Sequence, residues 1–68
     1  MPKLKKLKDL KNGEYFTLRP IAEPTDRQVY IRGDYDRYDK RYECTRFDDI
    51  SLARMLKGDT YVYTDFTF

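Results

Sequence analysis

Very few side chains in this 68-residue chain could make or break a bond. Cys44 is the only cysteine, Ser51 the only serine, and there is no histidine. A thiol or hydroxyl becomes a nucleophile when a neighbouring base draws off its proton, and the usual base is missing. Cys44 therefore reads as a small core residue. A lone cysteine rules out an internal disulfide, and without histidine a four-ligand zinc site cannot be assembled. Carboxylates cluster in the stretch DYDRYD, as Asp34, Asp36 and Asp39, with Asp48 and Asp49 further on. A calcium loop counted from Asp34 needs oxygen ligands at alternate positions and glycine at the sixth. Tyr38 stands at the third ligand position and Asp39 at the glycine position, so the match fails. Solvated turn carboxylates beside Arg37, Lys40 and Arg41 are the simpler reading. Arg32-Gly33-Asp34 spells an adhesion tripeptide, but it falls inside a predicted strand, where glycine marks a bulge or a close backbone approach. These residues predict no enzyme, no metal and no cofactor.

The chemistry the composition does favour is recognition. Seven tyrosines and four phenylalanines are present, and each such ring can bury about 150–250 Å². A chain this short buries only about 60% of its unfolded surface, so most rings are expected in the core or at its margin. Tyrosines interleaved with cations are also what a single-strand nucleic-acid binder uses, rings for the bases and Lys or Arg for the backbone. Strand alternation predicts Phe16, Leu18, Val29, Ile31, Val62 and Phe66 inward. It then gathers Tyr15, Arg19, Tyr30, Arg32, Tyr61 and Tyr63 on the opposite, outward face. Lys3, Lys5, Lys6, Lys8 and Lys11 extend that face as a basic N-terminal arm or turn over residues 1–13. This segment holds five lysines against Asp9, a charge of +4. The remainder holds nine basic and eleven acidic residues, a charge of −2, so the body is no generic polyanion binder. Asp34, Glu43 and Asp65 share the predicted face and would repel phosphate. The same mixture of Tyr and Arg suits a protein partner.

The elements that must position these residues are short. Leu4, Leu7 and Leu10, spaced three apart among lysines, predict a short amphipathic or 3₁₀-like turn that lids one end of a barrel and stops at Asn12-Gly13. Residues 14–20 alternate as a half-buried strand ended by Pro20 and Pro24. Residues 28–47 form a β-hairpin, with aspartates around 36–39 bonding turn amides. In the return strand Tyr42 and Cys44 share one face. Residues 50–57 are ambiguous: Leu52, Met55 and Leu56 sit at helical spacing after Asp49, and a strand closed by Lys57-Gly58-Asp59 fits as well. Residues 60–68 alternate most cleanly of all. The expected fold class is all-β: one domain over 1–68, a small SH3-like, partly open antiparallel barrel of four to five strands, with one helical turn after Asp49 as the variant.

Three stretches carry a resemblance: Gly13-Glu14-Tyr15-Phe16, the central VYIRGDYDRYDKRYECTRFDDI, and the final LKGDTYVYTDFTF. Together the chain resembles a group of short uncharacterised bacterial and mobile-element proteins with a G-[DE]-x-F opening and a Y-x-C-x-x-F-D-D centre. The resemblance implies an SH3-like β-barrel and brings no activity and no site residues.

The expected partner is nucleic acid, single-stranded or structured, bound by a non-enzymatic module; the alternative is an unidentified protein held on the same face, or a small structural subunit. A homodimer through an exposed strand such as residues 60–68 is a further expectation. No apolar run approaches the roughly 20 residues that span a bilayer, so no membrane partner is expected. A free cysteine and no export signal point to the cytoplasm.

Overall fold

The course of the chain is set by one glycine that has no room for a side chain. A Cβ on Gly33 would lie 2.5 Å from the carbonyl oxygen of Glu43 on the neighbouring strand. Strand β3 (Tyr30–Asp36) pairs antiparallel with β4 (Arg41–Arg46), and its register slips between Arg32 and Tyr35, at that glycine. Gly33 thus marks both the bulge and the close approach expected of it, and Arg32-Gly33-Asp34 lies within a strand. In the computed structural model, which describes residues 2–68, the hairpin tip is held as its sequence suggests. Oδ1 of Asp36 accepts the backbone N–H of Tyr38 at 2.8 Å and of Asp39 at 3.3 Å.

Strand β5 (Asp49–Lys57) returns along β4. The helical spacing of Leu52, Met55 and Leu56 is therefore coincidental: residues 50–57 are strand throughout. Phe47 and Asp48 form a tight turn, with Arg46 opposite Asp49. The register then jumps, since Thr45 stands opposite Ala53, and Ile50, Ser51 and Leu52 bulge out. Asp49 shapes that bulge by accepting both the backbone N–H and the hydroxyl of Ser51 on one oxygen. Strand β2 (Tyr15–Phe16) pairs along the other side of β3, giving a four-stranded sheet in the order β2-β3-β4-β5.

The lysine-rich start is built into the fold. Lys3–Lys6 is strand β1, paired with β6 (Tyr61–Thr64) in a two-stranded ribbon. Leu7–Asp9 is a 3₁₀ turn, as the leucine spacing predicted, and Leu7 and Leu10 are buried. A bridge between Thr17 and Tyr63, with a backbone bond of 2.9 Å in each direction, joins ribbon to sheet. The molecule is all-β, with two antiparallel sheets that do not close into a barrel. β6 has β1 along one side and the single Thr17–Tyr63 bridge on the other.

The core is Leu7, Leu10, Phe16, Cys44 and Val62, with Leu18, Tyr30, Tyr42 and Leu56 packed at its margin. Tyr30 is therefore a core-margin residue. Its ring stacks on Phe16, centroids 5.8 Å apart at 22°. Arg32 stands opposite Cys44 in the register and shares the core side. The outward orientation expected of Tyr30 and Arg32 is corrected by these contacts. Val29, one residue out of phase, is also fully buried, but outside that cluster. The chain thus buries Val29 just before β3 and packs Tyr30, on the alternate face, at the core margin, so alternation alone does not say which face is the interior. Val62 points inward as expected. Phe66 does not continue its row, because the strand stops at Thr64 and Asp65 turns to φ 61°.

Candidate nucleic-acid interface

The eleven predicted contact residues do not share one surface. The ribbon keeps the largest share. Its register sets Leu4 opposite Tyr63 and Lys6 opposite Tyr61, so these four side chains share one face. Val62 and Thr64 point the other way and are buried. Tyr61 is 58% exposed, and the ammonium of Lys6 lies 5.8 Å from its ring centroid. Lys3 and Lys5 alternate with Leu4 and Lys6 along the free edge. Among the described residues none of Lys3, Lys5, Lys6 or Lys11 has a carboxylate within 4 Å; the two ion pairs present are Lys8–Asp59 and Arg46–Asp48. Lys8 approaches Asp59 at 3.3 Å with both side chains exposed, a pair worth little. Lys11 is exposed, and its backbone N–H bonds Glu14 Oε1 at 3.2 Å.

Tyr15 belongs to a different cluster. Its ring meets Phe47 at 5.6 Å and Phe68 at 5.8 Å, both edge-on, and Phe47 meets Phe68 at 4.8 Å. All three rings remain more than a third exposed. Arg19 is elsewhere again, in the loop after Thr17, beside Arg27 in a pocket of about 250 Å³ with Leu18, Ile21 and Tyr30. Tyr30 and Arg32 are spent on the core. The six residues do not form a single platform: Tyr61 and Tyr63 stay together, joined by Lys6 of the N-terminal segment.

One basic and aromatic surface was not read from the sequence. A groove of about 530 Å³ between the β3–β4 tip and the β5–β6 turn is lined by Tyr35, Tyr42, Lys40, Arg41, Lys57 and Lys8, with Asp39 and Asp59. Arg41 stands directly opposite Lys57. That juxtaposition was legible only by treating residues 50–57 as strand; a helical reading hides it.

Cys44 has no access to chemistry. It is fully buried, and burial pushes its thiol up to about 11, against smaller lowering effects from the Gly33 backbone and Arg32. The thiol stays protonated at neutral pH and is a poor nucleophile. No group of three metal-ligating side chains occurs among the described residues, and no described helix is long and apolar enough to cross a membrane. No family model, curated protein or solved structure matches the chain.

Proposed function

We propose that the protein is a non-enzymatic module that binds single-stranded nucleic acid on the β1–β6 ribbon. The observation that carries this reading is Lys6 over the exposed Tyr61, with Tyr63 beside it and Lys3 and Lys5 on the same strand, all free of carboxylates among the described residues. A ring beside a cation offers one surface for a base and one charge for its phosphate. Two strands hold the spacing, and the Thr17–Tyr63 bridge fixes the ribbon to the body. Lysine on an edge strand also discourages strand pairing, which accounts for the charge alone but not for Tyr61.

The test is fluorescence anisotropy of a labelled single-stranded oligonucleotide over a salt series. Each lysine–phosphate contact contributes about −0.7 to the slope of log K against log salt. Lys6→Gln should flatten the slope by about that amount, and Tyr61→Ala should cost about 1–3 kcal/mol of binding. Binding that ignores salt, or that survives Tyr61→Ala, would remove the reading.

The second reading, a protein partner, rests on the Tyr15–Phe47–Phe68 cluster. Three large rings in mutual edge contact and still partly exposed resemble the aromatic anchors of protein interfaces. Glu14 and Asp65 line the adjoining groove with Tyr15, Phe66 and Phe68, which makes that side a poor one for phosphate. Phe47→Ala abolishing capture of a partner, with oligonucleotide binding absent, would favour this reading over the first.

A further inference from the structure

We infer that the pocket beside Arg19 and Arg27 binds a small organic carboxylate with a compact apolar body. The carboxylate meets the two guanidiniums, and the body rests on Leu18, Ile21 and Tyr30. The inference goes beyond the nucleic-acid reading and shares no residue with the ribbon.

Two turns build this pocket. After Thr17, two donors converge on the carbonyl of Arg19: the Thr17 hydroxyl at 2.6 Å and the Ile21 N–H at 2.9 Å. They close a tight turn around Pro20, so Arg19 and Ile21 leave the alternation of β2. Across from it, Asp26–Gln28 is a 3₁₀ turn. The Gln28 N–H bonds the Thr25 carbonyl at 2.9 Å, and Gln28 Oε1 accepts the Thr25 N–H at 2.9 Å. Leu18, Arg19, Ile21, Arg27, Gln28 and Tyr30 line the cavity of about 250 Å³ that results. Both arginines come from turns, so no plane of paired strands separates them. Leu18 and Tyr30 are half-buried against the core and form an apolar base.

Hydrogen-bonding capacity then selects the ligand. Guanidinium groups only donate. Gln28 has its side-chain oxygen occupied, which leaves its amide nitrogen as a donor. No carboxylate lines the cavity, and neither arginine has one within 4 Å among the described residues. Arg27 also borders a shallower groove with Asp26 and Asp48, where Asp48 is already held by Arg46. A lining of donors calls for an anionic acceptor, and a planar carboxylate matches the guanidinium fork. The volume falls below the roughly 300–1,000 Å³ of drug-sized pockets, which limits the body to one ring or one branched chain. An inorganic anion would use the arginines and leave the apolar base wet. A hydrocarbon would leave the arginines without a counter-charge.

The experiment is an NMR titration of ¹⁵N-labelled protein in chloride buffer with hydrocinnamate, hydrocinnamyl alcohol, acetate and phenyl phosphate, each separately. Hydrocinnamate should give saturable shifts at Arg19, Ile21, Arg27 and Gln28, and bind about fivefold or more tighter than the alcohol or acetate. Arg19→Gln and Arg27→Gln should each weaken it about threefold or more. Both side chains are exposed, so the fold should tolerate either change. Ile21→Ala should weaken hydrocinnamate and leave acetate unchanged. Absence of saturable shifts at these residues overturns the inference, as does hydrocinnamate binding unchanged in both arginine variants. Equal binding of acetate or of the alcohol overturns the pairing of charge with apolar body. Tighter binding of phenyl phosphate overturns the carboxylate assignment. Shifts centred on Lys3–Lys6 would place the anion on the ribbon and refute the pocket. Hydrocinnamate binding should persist in Tyr61→Ala, so a ribbon that fails to bind oligonucleotide leaves this result standing.

Discussion

The guanidinium carbon of Arg32 lies 4.2 Å from the centre of the Tyr42 ring, on the core side of adjacent strands. An arginine placed there is an uneasy neighbour for Cys44, and its Nε is buried with no hydrogen-bond partner. The ring face compensates part of that cost, because a cation desolvated over an aromatic ring gains about 2 kcal/mol. A double-mutant cycle of Arg32→Met and Tyr42→Leu, followed by chemical denaturation, should therefore return a coupling of about 1–2 kcal/mol. Additive losses would mean that the two side chains merely touch.

Tyr30 and Tyr61 should behave as opposites. Tyr30 stacks on Phe16 at the core margin, whereas Tyr61 is 58% exposed on the ribbon. Tyr30→Ala should destabilise the fold by about 3 kcal/mol. Tyr61→Ala should shift stability by no more than about 0.5–1 kcal/mol, the exposed Lys6 contact included. Thermal unfolding of both variants decides it; similar losses would undo the assignment of faces.

Gly33→Ala should cost about 1–3 kcal/mol or more, because the new methyl must displace a backbone carbonyl and not a flexible side chain. A variant that melts with the parent would mean that the bulge at Arg32–Tyr35 shifts without penalty.

Cys44 gives the protein a pH dependence on the alkaline side. Its folded-state pKa, about 11, is above the ordinary 9.0 because burial disfavours the thiolate. The unfolded chain therefore loses this proton first, and stability should fall as pH rises from about 9 to 11. Tyrosines also ionise in that range, so the informative quantity is the difference in slope between the parent and Cys44→Ala. A slope unchanged by the substitution would place the alkaline loss elsewhere.

Asp49 acts on the acidic side. The Ser51 hydroxyl, then the Ser51 backbone amide, hold its carboxyl below the ordinary 3.8. A depressed carboxyl contributes stability above its unfolded pKa and loses it as pH falls through the folded one. Ser51→Ala should raise the Asp49 pKa toward 3.8, read directly by carbon NMR of the carboxyl. No movement would mean that the hydroxyl bond is not formed in solution.

How much of this was legible depended on what alternation can and cannot encode. The β3–β4 hairpin, its aspartate-held tip, and Gly33 were readable because turn chemistry and a lone glycine are local signals. The placement of Tyr30 and Arg32 was not, because Val29 on one face and Tyr30 on the other both leave solvent, and a period of two names no interior. β1 was hidden by its own lysines: Lys-Leu-Lys-Lys carries no strand propensity, and its pairing with β6 depends on residues at the other end of the sequence, Tyr61–Thr64. β5 was ambiguous because Leu52, Met55 and Leu56 satisfy a helical period by chance. The groove followed the same fate, since Arg41 and Lys57 become neighbours only through that strand. Candidate contacts were thus half visible: the residue types were apparent, and their grouping was not.

Lys3 meets Thr64, and Lys6 meets Tyr61, across nearly the whole length of the chain. The hairpins of β3, β4 and β5 close short loops, whereas the ribbon closes a long one, whose entropy cost is paid only once both ends are present. During synthesis Lys3–Lys6 emerges before β6 and stays unpaired until Tyr61–Thr64 follows. The ribbon surface therefore forms after the β3–β4–β5 hairpins can, and a nascent chain stalled short of β6 would have its charges without their rings.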